Sequence, residues 1–240
     1  MGFFDFLPEL GHYEDDPRMV ARMNARHRFL VEDFAADIEG ARVLDLGAHD
    51  GRWAYAFAAA GAAHVVGIEA RPELVARFGA WPDPGVRARV EMRTGDMFDG
   101  LEAARVAGEQ YDVVGVLGVF YHIMDHYRLL RLVRAMRPRL VIIDGEFLIR
   151  PGAVIGLVRE KTDNILNAAA NFEGQGVTMI GIPSFPAMEA MADTLGYDIA
   201  WSDWDALPES GRDGLRGDYF REGAQKRRAT CALRPRPGTR

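Results

Sequence analysis

The sequence predicts an α/β protein built on a doubly wound, mostly parallel seven-stranded sheet with helices on both faces. Three observations carry this expectation. Short apolar runs alternate with helical repeats from about residue 40 onward. The run "YDVVGVLGVFY" is apolar throughout, as a strand covered on both faces is. The stretch "VLDLGAHDGRW", Val43 to Trp53, passes from a strand through a glycine turn directly into a helix.

The elements follow in order. Residues 17–39 carry apolar residues at helical spacing, lack glycine and open on Pro17, which predicts one or two N-terminal helices. "ARVLDLG" is the first strand, and "GRWAYAFAAAGA" the first helix after it, closed by Gly61. "HVVGIEA" is the second strand, followed by a helix over "RPELVARFGAW" with Pro72 in its first turn. "ARVEMRTGD" is the third strand and "YDVVGVLGVFY" the fourth; "DHYRLLRLVRAM" is a helix, and "RLVIIDGEF" the fifth strand. Residues 148–182 break the rhythm with polar residues and glycines around a possible strand, which predicts an extra subdomain or a lid. "SFPAMEAMADTLG" restores it as a helix capped by Ser184 and stopped at Gly196. "YDIAWSDW" and "RRATCAL" complete the seven strands.

A chain of 240 residues, 48% of them hydrophobic, reads as one domain with a sizeable core. Its parts are a helical extension (1–39), a ligand-binding core (40–147), the insertion (148–182), the C-terminal part of the sheet (183–233) and a basic, proline-rich tail (234–240) expected to fray. No apolar run is long enough to span a membrane, and the N-terminus carries acids where an export signal has bases, so a cytoplasmic location is expected. The lone Cys231 reads as a buried structural thiol. A net charge of −6 argues against non-specific nucleic-acid binding. Lys161 and Lys226 are the only lysines, and the arginine excess is read as a compositional bias. Trp53, Trp201 and Trp204 read as packing residues, and the sequence sets no oligomeric state.

Ligands of a doubly wound sheet bind outside the carboxyl ends of its strands. Gly47 and Gly51 stand two and six residues after Asp45, which gives G-x-x-x-G behind an acid, not the G-x-G-x-x-G of a dinucleotide site. Asp45 repels a pyrophosphate and welcomes an ammonium or sulfonium, which favours S-adenosylmethionine over NAD or FAD. Glu69, 24 residues further on with Ala70 beside it, ends the second strand and can accept from both hydroxyls of a ribose. Asp96 ends the third strand and can accept from an adenine amino group, with Met97 or Phe98 on the ring.

On "VLDLGAHDG", "VVGIEA", "TGDMF", "YDVVGVLGVFYHI" and "PRLVIIDGEF", residues 40–147 resemble the class I S-adenosylmethionine-dependent methyltransferases. The resemblance implies a Rossmann-like methyltransferase fold. It also implies that Gly47, Ala48, His49 and Gly51 surround the methionine moiety, Glu69 holds the ribose and Asp96 the adenine, and Leu117 and Gly118 meet the cofactor's amino end. His49 stands where the family carries a glycine; it reads as a side chain turned from the ligand, with a base as the second reading. "GVFYHIMDHYRLL" and "IPSFPAMEAMADTLGY" are similar, more weakly, to the branch containing the tRNA wobble-uridine carboxymethyltransferases, which keeps RNA open as a substrate and a carboxylated cofactor with it.

His122 and His126 are four apart beside Asp125. A metal pair at that spacing lacks a third ligand, so no metal is expected. Tyr121 and His122 read as lining the cleft, His122 as the base for a hydroxyl or amine nucleophile or both as positioners; a helix-capping pair is the structural alternative. In "DGEF", Asp144 or Glu146 can orient a substrate amine or hydroxyl, the alternative being solvated strand-end acids. The leading expectation is a methyltransferase for a small molecule, followed by an RNA-modifying enzyme and then a non-catalytic cofactor-binding or interaction module.

Overall fold

A computed structural model describes residues 2–13 and 16–238. Five strands, β1 (Arg42–Leu46), β2 (His64–Glu69), β3 (Val90–Thr94), β4 (Val113–Leu117) and β5 (Leu140–Leu148), run parallel. Then β6 (Ile155–Lys161) and β7 (Val177–Pro183) form a separate antiparallel hairpin. Finally β8 (Tyr197–Trp201) and β9 (Lys226–Pro235) close the main sheet, β9 antiparallel to both β5 and β8. The described residues therefore build the expected seven-stranded sheet, in the order β3-β2-β1-β4-β5-β9-β8. Strand order reverses between β1 and β4, which opens the ligand crevice there.

The helices are α1 (Pro17–Leu30), α2 (Ala35–Ile38), α3 (Arg52–Ala59), α4 (Pro72–Val75), α5 (Pro84–Arg87), α6 (Met97–Val106), α7 (His126–Ala135) and α8 (Phe185–Thr194). Side chains alternate across the sheet, and each face has its own core. Val43, Val65 and Val113 pack with Phe57 of α3, Met23 and Leu30 of α1, and Phe4, Leu7 and Trp81. Leu44, Val66 and Val114 face the other way, onto Leu101 of α6, Leu129, Leu130 and Val133 of α7 and Met188 of α8. Each of these fully buried side chains contributes about 1.5–3 kcal/mol relative to exposure.

Three elements depart from the sequence reading. No helix is expected after β3 from the sequence pattern, yet α6 forms there with Asp96 as its cap: Oδ1 accepts from the Phe98 and Asp99 amides at 2.8 and 3.2 Å. The helix expected over "RPELVARFGAW" is instead α4 followed by a 3₁₀ segment, Ala76–Ala80. The tail does not fray from residue 234: β9 runs to Pro235, Arg234 pairs with Asp37 at 2.7 Å and Arg236 with Asp198 at 2.8 Å. Thr239 and Arg240 of that tail, and Met1, Glu14 and Asp15 of the N-terminal stretch, lie outside the described residues.

Other local readings hold. Ser184 Oγ accepts from the Ala187 amide at 3.1 Å, and Gly196 follows α8 at φ 72°. Cys231 is buried, and burial pushes its thiol pKa up. Trp201 packs on Phe185 and Phe147, and Trp204 stacks on Phe29 and Tyr219. Among the described residues no helix is long and apolar enough to cross a membrane.

Candidate active site

A cavity of about 850 Å³ opens at the carboxyl ends of β1, β2 and β4. Gly47 takes φ 67° in the loop after β1, and a Cβ there would stand 2.7 Å from the Val119 side chain. Gly51 starts α3 at φ 81°, and its Cβ would meet the Phe78 ring at 2.3 Å. Both positions therefore demand glycine, for conformation and for space.

His49 sits between them at φ 55°, left-handed without being glycine. Its environment holds it there. The His49 amide donates to Glu69 Oε2 at 2.9 Å, and Nδ1 accepts from Arg52 Nη2 at 2.7 Å. Arg52 in turn pairs with Asp50 at 2.8 Å, and Tyr13 donates its hydroxyl to the same carboxylate at 2.6 Å. Burial lowers the His49 pKa below its ordinary value. With Nδ1 accepting, the proton of the neutral ring resides on Nε2, which is buried and has no hydrogen-bond partner among the described residues. The ring is thus a neutral buttress of the loop.

Glu69 receives two backbone amides, Arg71 N on Oε1 at 3.0 Å and His49 N on Oε2 at 2.9 Å. Each oxygen keeps accepting capacity toward the cavity that Glu69 and Ala70 line. Asp96, Met97 and Phe98 form one end of that cavity, and Leu117 and Gly118 the floor beside it. Asp45, Ala48 and Gly51 are not in the wall; Asp45 is buried near the end of β1 and Gly51 caps α3. Burial pushes the Asp45 carboxyl up to about 8, with the Ala54 amide at the start of α3 opposing the shift.

Tyr121 and His122 end a 3₁₀ turn, Phe120–His122, and both line the cavity. His122 Nδ1 donates to Glu160 Oε2 at 2.7 Å, and the Tyr121 hydroxyl accepts from Arg228 Nη1 at 3.2 Å. His126 turns elsewhere, its Nε2 donating to the Gly181 carbonyl at 2.9 Å, so the two histidines do not converge.

Asp144 and Glu146 require correction, since neither reaches the cavity. Asp144 is fully buried and accepts from Arg26, Arg228, Tyr219 and Thr230. The two guanidinium groups hold its pKa well below the usual carboxylate range against the cost of burial. Glu146 is spent on Arg221 at 2.7 Å and on Lys226.

Several cavity residues escaped the sequence reading. Arg22, Arg26 and Arg228 form one wall, and Trp53 lies under Arg26, 4.9 Å from guanidinium to ring. The insertion lines the cavity with residues Ile165 to Asn171. Arg71 holds it there, donating to the carbonyls of Asn164, Ile165, Asn167 and Ala168 at 3.0–3.3 Å. The Ala168 amide donates to Glu160 at 2.8 Å, so one carboxylate ties the lid to His122.

The profile of a methyltransferase-domain family matches residues 19–143, more than half the chain. The chain belongs to that family. It is a class I S-adenosylmethionine-dependent methyltransferase by membership, and S-adenosylmethionine is the cofactor of this superfamily. Solved structures agree on the fold. The N-terminal domain of EvdMO1, determined in the presence of SAH and D-fucose, has a TM-score of 0.61 and 20% identity, covering 93% of this chain and 84% of that one. An S-adenosylmethionine-dependent methyltransferase from Mesorhizobium loti has a TM-score of 0.60 and 15% identity, covering 87% and 95%. No curated protein matches.

Proposed function

We propose that this methyltransferase acts on a small molecule, with His122 as the base that deprotonates a hydroxyl or amine nucleophile. The observation that carries this reading is the His122–Glu160 pair at 2.7 Å in the cavity wall. Glu160 accepts the hydrogen bond from Nδ1–H, which keeps the ring proton on Nδ1 and leaves Nε2 as the basic nitrogen, the arrangement a general base needs. Tyr121, its ring 4.2 Å from that of His122, shapes the position of the acceptor.

The residues present fit the cofactor. Glu69 is aimed by two amides and can accept from the ribose hydroxyls, and Asp96 with Met97 and Phe98 can receive the adenine. Gly47 leaves room where any side chain would strike Val119. The cofactor, when bound, supplies an electrophilic methyl group. Asp45, nearly neutral behind the loop, gains charge when a cation binds nearby, which offsets part of its burial cost.

A small acceptor is favoured over RNA because the insertion forms part of the cavity wall and the net charge is −6. The deciding experiment supplies methyl-labelled S-adenosylmethionine with either the small-molecule fraction of a cell extract or total tRNA. Label in the small-molecule fraction supports the reading. Label in tRNA alone overturns it, as does an unchanged rate in His122→Asn.

A further inference from the structure

Two guanidinium groups meet on a single carboxylate oxygen at the edge of the cavity. Arg26 Nη2 and Arg228 Nε each stand 2.7 Å from Asp144 Oδ1, while Tyr219 and Thr230 donate to Oδ2 at 2.7 and 2.8 Å. Asp144 has no capacity left for another donor, and its one charge balances one of the two arginines. The surrounding ion pairs do not supply the difference. Arg22 pairs with Asp218 at 2.6 Å, Arg221 with Asp218 at 3.5 Å and with Glu146 at 2.7 Å, and Lys226 with Glu146. Among the described residues these pairs form two clusters, Arg26 and Arg228 on Asp144, and Arg22, Arg221 and Lys226 on Asp218 and Glu146, and each cluster holds one more cation than it has carboxylates.

Of the five cations, the three that line the cavity are Arg22, Arg26 and Arg228. Donors remain on them. Among the described residues Arg26 Nη1 meets only the Met23 sulfur, at 4.0 Å, and Arg22 spends Nε and Nη2 on Asp218. Arg26 and Arg228 are 5% and 6% exposed, so their charge is poorly screened. Burial, and then the like charges of Arg26 and Arg228, pull the Arg22 pKa below its ordinary value. In a chain of net charge −6, the one buried positive charge that Asp144 leaves uncompensated between Arg26 and Arg228 calls for an anion.

Its position separates it from the nucleoside end of the cavity. Glu69 and Asp96 stand at the ends of β2 and β3, whereas Arg228 is on β9, beyond β5 on the other side of the switch point. Arg228 also donates to the Tyr121 hydroxyl beside His122.

We propose that the methyl acceptor carries an acidic group, a carboxylate or a phosphate, seated by Arg22, Arg26 and Arg228. Guanidinium groups suit both anions, since each presents paired donors to paired oxygens. The proposal rests on the methyltransferase reading above and specifies its substrate class.

The test uses the full chain saturated with S-adenosylhomocysteine, titrated at matched ionic strength with inorganic phosphate, acetate or chloride and followed by thermal shift and calorimetry. Phosphate or acetate raises the melting temperature beyond chloride and leaves S-adenosylhomocysteine affinity intact; whichever responds more names the acid. Arg22→Gln weakens that anion about tenfold, and Arg22→Lys restores part of it. The proposal is overturned if neither anion differs from chloride. It is also overturned if the anion competes with S-adenosylhomocysteine, which would assign the corner to the cofactor's own carboxylate. Failure of S-adenosylhomocysteine itself to bind is read separately and sinks the underlying site.

Discussion

Glu160 Oε2 accepts both from His122 Nδ1 at 2.7 Å and from the Ala168 amide at 2.8 Å, so one carboxylate of the hairpin orients the candidate base and anchors the lid. The insertion's position and the tautomer of His122 therefore share one carboxylate. Replacement Glu160→Gln should lower kcat about 100-fold, within the range of acid–base contributions. S-adenosylhomocysteine affinity should stay within a few-fold. An unchanged kcat would reduce the pair to packing.

Asp45 predicts a pH effect with a definite sign. Its pKa rises from 3.8 when exposed to about 8 in the folded chain. Below about pH 4 both states are protonated and nothing is lost; between about 4 and 8 only the unfolded chain ionises and stability falls; above about 8 the penalty is constant. Asp45→Asn removes the penalty, so its melting temperature should exceed that of the unaltered protein by a margin that grows from pH 5 to 8. Its affinity for S-adenosylmethionine should fall more than that for S-adenosylhomocysteine, which lacks the sulfonium. A pH-independent margin would show that Asp45 ionises normally.

Arg71 is the latch of the lid. Arg71→Ala removes four hydrogen bonds to carbonyls of Asn164, Ile165, Asn167 and Ala168. Part of the latch is solvent-exposed, so the expected cost is about tenfold in S-adenosylhomocysteine affinity, mostly as faster release. Limited proteolysis should also begin within residues 162–176. Unchanged release and cleavage would mean that the lid is held by other contacts.

Asp144 should behave as a structural group, not as a substrate contact. Asp144→Asn leaves Arg26 and Arg228 facing each other in a buried site, at a cost of about 3–5 kcal/mol. Urea denaturation measures this directly, and a loss below about 1 kcal/mol would contradict the charge balance described.

The fold was legible because its signals are local and repeated. Apolar runs mark β1 to β5, Ser184 and Gly196 bracket α8, and Gly47 and Gly51 mark the turn between β1 and α3. That Glu69 and Asp96 share one cavity was legible for the same reason, since both follow strand ends. Asp144 was misread because strand alternation gives the face of a side chain but not its partners, and those partners are up to 118 residues away. The arginine wall was invisible for a related reason: Arg22, Arg26 and Arg228 come from α1 and β9, and arginine is abundant enough that none stands out. Glu160 carried no motif at all. It acquires a role only when the hairpin folds over the 3₁₀ turn that presents His122.

The site is tested most directly by calorimetric titration of S-adenosylhomocysteine into the unaltered protein and into Glu69→Ala. One molecule should bind each chain, and the variant should bind about 100-fold more weakly, the equivalent of two charge-assisted hydrogen bonds at about 1.5 kcal/mol each. No binding to the unaltered protein, or equal affinity in the variant, would contradict the placement of the nucleoside at the ends of β2 and β3.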